Sequence, residues 1–550
     1  MKTKTFLMLF VTLVFVACNQ QPKTVISEWT PYDEAEELAK NADHESRRMR
    51  FKRIQSQLLD KNELWKDVDE QIKYFSEEDY QHLKPLILDQ DIPTIQSHVK
   101  AGDLSYEALT QWYLYRIVKF ENDKNTMLNA IVALNKNAVE EAKLKDKNKS
   151  DSDHPLYGMP VLLKDNVNTE GMPTTAGTHF LRNNQTSDAF IVKRLKEKGA
   201  IILGKTNLSE WANFLFLGGP NGYSAVGGQT LNPYGRKIFD TGGSSSGSGA
   251  AIAANYAVAA VGTETSGSIL SPSSQNSLVG LKPTVGLLSR SGIVPLSSTL
   301  DTPGPMTRNV TDNAIFLSAM TGEDAADPAT KDNPKNVKYT EVLGTGTLEG
   351  LRFGAIKRFM EHPVYKATMD KLSEQGATII EFEAEQVNFD GFGDLLGADM
   401  QIDLPKYLDD YASENITLRS MKEIVAYNNE DTTTRIPYGQ GRFEQAANVE
   451  LTPEEHNQLR DRLHAEGIKY FEIPMKAHQL DAVLAINNWG AGFAAAAKYP
   501  CLTIPMGYEE NGYPAGLTFI ARPFEEDKLL KIGYAFEQAT KMRKSPEIYN

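Results

Sequence analysis

Over residues 32–88 apolar side chains recur at helical spacing among charged ones, as Leu58, Leu59, Leu64, Val68 and Ile72 do. That recurrence predicts helices packed on a larger body, an N-terminal segment over 32–90. Another helix is predicted from Ser105, a suitable N-cap with Glu107 in its first turn, to Phe120. One more spans 138–145, before a polar loop to His154. From Leu156 the pattern changes. Short apolar runs (161–163, 200–203, 257–261) alternate with helical stretches (189–198, 209–214 capped by Asn207, 250–255). The alternation returns at 482–486, 502–504, 517–521 and a closing helix over 525–540. Such a chain predicts an α/β layer structure with a largely internal sheet. Between the two mixed regions, 383–478 is more polar and helical, a predicted cover for whatever site the body carries. No linker divides 91–550.

The first residues change the picture at one end. Lys2 and Lys4 precede an almost wholly apolar run from Phe6 to Ala17, too short for a comfortable bilayer span and flanked like a signal peptide. Ala17 before Cys18 resembles a bacterial lipobox. The expectation is a signal peptide over 1–17, lipidation at Cys18, a tether over 18–31, and a protein held to the membrane of the bacterial envelope by its lipid. The other reading is an ordinary signal peptide with Cys18 incidental. With Cys501 the only other cysteine, no internal disulfide is available once Cys18 is modified. A net charge of −14 argues against a nucleic-acid partner, since phosphate binding needs basic surface.

The candidate chemistry lies in three places. Lys164 ends the apolar run 161–163; Ser244, Ser245 and Ser246 sit among glycines in 242–247; and Ser268 closes Thr265-Ser266-Gly267-Ser268. A serine hydroxyl is a poor nucleophile at neutral pH and needs a base and a donor pocket for the oxyanion. A lysine is that base where burial keeps it neutral. Competing readings exist for each. The Gly/Ser run also suits a flexible linker, although ordered apolar sequence follows at once. It suits a phosphate loop, but without the lysine that a Walker loop carries. It also fits a G-x-S-x-G elbow at Ser245, which requires a downstream histidine. His362, His456, His464 and His478 are available, all in polar or helix-like surroundings. Ser97 and Lys100 match an S-x-x-K pattern without its companion motifs. Lys164 also reads as a surface lysine at a strand end, and Ser268 as a turn serine.

Residues 158–166 (Gly-Met-Pro-Val-Leu-Leu-Lys-Asp-Asn), the Gly/Ser run, 262–269, 280–284, 301–306 and 502–507 together resemble the amidase signature family, in order, over about residues 94–540. Within it the chain looks most like peptide amidases and related exported amidases. The resemblance implies the amidase-signature fold, a large mixed β-sheet core flanked by helices on both faces. It implies a Ser-cisSer-Lys triad with Ser268 as nucleophile, Ser244 as bridging serine and Lys164 as base. The backbone amides of Thr265, Ser266, Gly267 and Ser268 take the position of the oxyanion hole, and Ser245 that of a supporting residue. Neither metal nor organic cofactor is implied. The expected reaction is hydrolysis of a linear carboxamide to a carboxylate and ammonia or an amine, with esters within reach of the same site. Two departures stand out. Ser266 occupies a position where many members have glycine, and Ser271 one where members acting on acidic substrates carry arginine. Trp211 to Asn213, Asn488 and Trp489 are candidate pocket residues. The alternatives are the glutaminase subunit of a tRNA-dependent amidotransferase and a non-catalytic envelope binding protein on the same scaffold.

Overall fold

A computed structural model describes residues 23–150, 154–334 and 337–550. The signal peptide at 1–17 and the lipidation at Cys18 lie outside the described residues. From Thr24 the expected tether is docked: its amide donates to Lys73 O at 2.7 Å, and that of Trp29 to Asn62 Oδ1 at 2.8 Å. Helices follow over Ala35–Asn41, Lys61–Ile72 and Glu77–Ile87. Asp60 caps the second of these, and Leu64, Val68 and Ile72 form its buried face. Leu58 and Leu59 precede it, because Ser56 Oγ draws both their amides into a turn at 3.0 and 2.9 Å. Ser105 caps Tyr106–Glu121 as expected, accepting from Ala108 N.

Thirteen strands are described: β1 (Ile131–Leu134), β2 (Pro160–Lys164), β3 (Ile201–Thr206), β4 (Tyr223–Ser224), β5 (Gly228–Gln229), β6 (Ala259–Glu264), β7 (Val279–Lys282), β8 (Thr302–Thr307), β9 (Arg352–Ile356), β10 (Thr378–Phe382), β11 (Ala482–Ile486), β12 (Cys501–Tyr508) and β13 (Pro514–Ile520). All except the β4–β5 pair join one sheet in the order β1-β3-β2-β6-β8-β7-β12-β13-β11-β9-β10. The sheet is mixed. β3, β2 and β6 are mutually parallel, β6-β8-β7-β12-β13-β11 antiparallel, and β11-β9-β10 parallel again. Every residue of β2, β3, β6, β8 and β13 is buried. This explains the apolar runs of β2, β3, β6 and β13: covering helices leave no wet face that would demand alternation. The fold is thus the helix-flanked mixed sheet of the α/β expectation.

One local expectation needs correcting. Residues 209–214 do not make an ordinary helix capped by Asn207. Trp211, Ala212 and Asn213 all have positive φ (51°, 54° and 69°), while Asn207 spends its side chain on Leu208 N, Ser224 Oγ and the Gly228 carbonyl. A strand that the apolar pattern does not mark, β8, runs through most of the motif 301–306 in the sheet interior, despite Pro303 and Pro305.

Residues 383–478 fold as helices Phe392–Tyr411, Met421–Asn429, Thr432–Arg435, Gly441–Ala447 and Pro453–His478. Their apolar side chains, among them Leu396, Ile424 and Phe443, form a second core with Trp211, Phe214 and Phe216, apart from the one along the sheet. Among the described residues no helix is long and apolar enough to cross a membrane.

Candidate active site

Parallel pairing of β2 with β6 sets Leu163 against Val261, so the strands end side by side at Lys164 and at Thr263–Glu264. The carboxyl ends of parallel strands are where open α/β sheets expose functional groups. Lys164 is fully buried, its Nζ 2.8 Å from Ser244 Oγ, 2.9 Å from Thr263 Oγ1 and 3.1 Å from Thr263 O. Asn166 Nδ2 donates to the same Thr263 hydroxyl at 3.0 Å. Burial brings the Lys164 pKa down to about 7, although the carboxylates of Asp301 and Glu264 pull upward.

The glycine-rich loop delivers Ser244. Gly242 has φ +70°, and a Cβ there would come within 2.8 Å of Pro272. The Gly243–Ser244 peptide bond is cis. Ser246 Oγ closes the loop on Gly242 O at 2.6 Å, and Ser209 N anchors Ser244 O at 3.0 Å. Ser245 faces the other way. Its hydroxyl donates to Thr263 O at 3.1 Å and accepts from Thr263 N at 3.2 Å, tying the loop to β6.

Beyond β6 the chain doubles back because Glu264 Oε2 accepts from the amides of Ile269 (2.7 Å) and Leu270 (3.0 Å). The turn holds Ser268, whose carbonyl accepts from Ser245 N at 3.1 Å. Ser244 and Ser268 are therefore joined through one peptide link. Ser268 is 8% exposed. Among the described residues its hydroxyl has no hydrogen-bond partner, and the amides of Thr265, Ser266 and Ser268 donate to none. Gly267 N is turned toward Glu264 instead. Gly267 has φ +85°, and a Cβ there would lie 2.7 Å from Asn488 Nδ2. Thr265 Oγ1 donates to Asp301 Oδ1 at 2.5 Å, and Asp301 Oδ2 accepts from Leu296 N and Ser297 N.

Ser268, Ser266, Ser271 and Gly243 open onto a cavity of about 450 Å³, within the usual range for small-ligand sites. Asn213 and Asn488 line it; Trp211 and Trp489 do not. Trp211 lies behind the wall, 2% exposed against Phe443 at 5.4 Å. Trp489 is 56% exposed, next to Phe359 and the Arg358 guanidinium, because the turn at Asn487 sends successive side chains to opposite sides. Sequence reasoning did not single out Thr263, Asn166 or Asp301, nor the cavity residues Arg48, Phe392 and Arg442. The first three stand in or beside the recognised motifs. For the others, distant along the chain, no local signal exists.

The rival chemistries find no geometry. Among the described residues no histidine lines the cavity; His456 Nε2 pairs with Asp399 at 2.7 Å, and His464 Nδ1 with Ala496 O at 2.6 Å. Ser97 Oγ bonds back to Pro93 O inside the helix Ile92–Ala101. Nor is any group of three His, Cys, Asp or Glu side chains among the described residues arranged to hold a metal ion.

Comparison with known proteins agrees with this fold. The family model described as Amidase matches residues 108–436. A protein of Arabidopsis thaliana named as a probable amidase is 35% identical over 465 residues, 81% of this chain and 88% of that one. A glutamyl-tRNA(Gln) amidotransferase component from Exiguobacterium sibiricum is 30% identical over 82% of this chain and 98% of its own. Among solved structures, an amidase family protein from Bacillus anthracis superposes with a TM-score of 0.85 at 38% identity, covering 90% of this chain and 99% of that one. The peptide amidase of Stenotrophomonas maltophilia gives 0.78 at 36% identity, over 84% and 98%. The chain belongs to the amidase signature family.

Proposed function

We propose that the protein hydrolyses linear carboxamides, among them the C-terminal amides of short peptides, through an acyl-enzyme on Ser268 with Ser244 and Lys164 as relay and base. The observation that carries this reading is the setting of Lys164 Nζ. A neutral amine has two N–H donors and one lone pair. Two of its three neighbours, Thr263 O and Thr263 Oγ1, serve as acceptors, the hydroxyl also receiving Asn166 Nδ2. The third, Ser244 Oγ at 2.8 Å, is left to donate its proton to the lone pair. Burial keeps the amine neutral over much of the range above its pKa of about 7.

Ser268 Oγ forms its bond to the amide carbon as its proton passes to Ser244 Oγ, and the Ser244 proton passes to Lys164 Nζ. The Ser268 side chain turns onto Ser244 for this step; catalytic hydrogen bonds often tighten only when substrate is bound. The carbonyl oxygen, now an oxyanion, is met by the uncommitted amides of Thr265, Ser266 and Ser268, a contribution of about 3–4 kcal/mol for a key donor. Collapse breaks the C–N bond, and the proton held by Lys164 returns through Ser244 to the departing nitrogen. Water then attacks the ester by the same relay. Hydroxyl engagement of Ser245 on β6 fits a supporting role.

The test is ammonia release from aliphatic, aromatic and peptide amides, with glutamine included, together with fluorophosphonate labelling and peptide mapping. Label on any residue other than Ser268 overturns the assignment, and glutamine as the preferred substrate favours the glutaminase reading suggested by the amidotransferase relatives. The lipid anchor at Cys18 is proposed on sequence grounds alone. Cys18→Ser should move the protein from the membrane to the soluble fraction.

A further inference from the structure

The catalytic cavity carries two arginines that the relay does not use. Arg442, at the start of the helix Gly441–Ala447, lines the cavity together with Arg48, from the short turn Arg47–Met49. Among the described residues Arg442 forms no ion pair and no hydrogen bond through its guanidinium, and its Nε is buried without a partner. The charged neighbour that acts on it is Arg48, a like charge, and burial and this repulsion both lower its pKa. Among the described residues Arg48 has only a long contact of 3.8 Å with Asp240, a partly buried carboxylate already taken up by Asn221 Nδ2 and Gly242 N. The one carboxylate on the cavity wall, Asp394, is in ion-pair contact with neither arginine among the described residues.

The Arg442 guanidinium lies over the Phe214 ring at 5.7 Å and has no anionic partner among the described residues, and two cations side by side cost free energy that an arriving anion offsets. The fork of a guanidinium suits a carboxylate bidentately. The side chain of Arg48 is 53% exposed and nearby Leu217 54%, whereas Ser268 is 8% exposed. The arginines therefore mark the outer end of the cavity and the nucleophile its floor.

We infer that Arg442, assisted by Arg48, binds a carboxylate on the acyl portion of the substrate, remote from the amide that is cleaved. The preferred substrates are amides of short peptides or similar elongated acyl groups that carry an acidic side chain away from the cleaved bond. This rests on the amidase reading above. It also separates the protein from a binder of small dicarboxylic monoamides, because the position beside the nucleophile is held by the neutral Ser271.

The experiment compares acetyl-glutamyl-phenylalanine amide with its glutaminyl and lysyl counterparts. Binding is measured by calorimetry on the Ser268→Ala protein, and KM on the unsubstituted enzyme. The glutamyl peptide should bind about tenfold more tightly than the glutaminyl one, with the lysyl peptide weakest. Adding Arg442→Gln should bring the glutamyl-to-glutaminyl ratio close to one, while Arg442→Lys keeps part of it. The lysine variant and thermal melts distinguish lost recognition from lost folding. Equal affinities for the three peptides, or a preference that survives Arg442→Gln, overturn the inference. A clear glutamyl preference in binding without hydrolysis of any amide upholds the anion site and overturns the hydrolase reading; hydrolysis of all three with equal KM does the reverse.

Discussion

The floor and the roof of the cavity are built on different principles. At the floor, Lys164, Thr263, Ser245 and Glu264 are held by the ends of adjacent strands. Nearly every contact involves a backbone atom or a fully buried hydroxyl. At the roof, the helices of 383–478 meet the loop around Trp211 through side chains packed on side chains, as Phe443 does on Trp211. Backbone-borne geometry tolerates little change, because altering one partner strands a buried polar group. Packing of apolar faces accepts substitution at modest cost while volume is kept. Reactivity is thus assigned to the sheet and selectivity to the cover.

The division breaks most readily at Ser268, the proposed nucleophile. Ser268→Ala should lower turnover of any amide by about 10⁴-fold or more with an unchanged circular dichroism spectrum; substantial residual activity would move the chemistry elsewhere. Lys164→Met, similar in length, should cost about 10³-fold in kcat/KM. In the unsubstituted enzyme, protonation of Lys164 removes the accepting lone pair. A pKa lowered to about 7 then means that kcat/KM rises with pH through that value and levels off above it. A pH–rate profile lacking this limb counts against lysine as the base.

Two changes sharpen the floor. Gly267→Ala forces a side chain onto a left-handed residue and into Asn488. Displacement of the oxyanion amides should cost about 10²-fold in kcat with KM little changed. Thr263→Val keeps the shape but removes an acceptor of Lys164 and of Asn166. Activity should fall about tenfold, and the inflection of the pH profile should move down, since an ammonium loses more than an amine when an acceptor goes. At the roof, Phe392→Ala should raise KM for bulky amides by about threefold to tenfold and leave the inflection where it was. A shifted inflection would show that the two regions are not separable.

Much of the floor was legible because local sequence dictates it. A lysine after three apolar residues, and serines among glycines, announce a desolvated base and tight turns. The alternation of apolar runs with helices gave β2 and β11 nearly to their ends and located β3, β6, β12 and β13 with their bounds displaced by two to four residues at one end or both. β8 was not legible as a strand, since Pro303 and Pro305 argue locally against an interior position. Nor was the left-handed run at Trp211–Asn213. Tertiary contacts hold it, Trp211 N donating to Ala176 O at 3.0 Å and the indole packing on Phe443. The same holds for Asn488 and Trp489: adjacent in sequence, they part at a turn whose direction neither residue encodes.

The docking of the N-terminal arm bears on how the protein is prepared. Trimming the chain to the start of the family match at residue 108 would discard the Arg48 portion of the cavity wall, the one charged contact of Asp240 among the described residues, and four α-helices that cover the body. Such a truncate would expose apolar surface and deform the loop that Asp240 holds through Gly242 N. A shortened version should instead be cut ahead of Lys23, whose amine lies 3.7 Å from Asp69 and whose neighbour Thr24 bonds to Lys73 O.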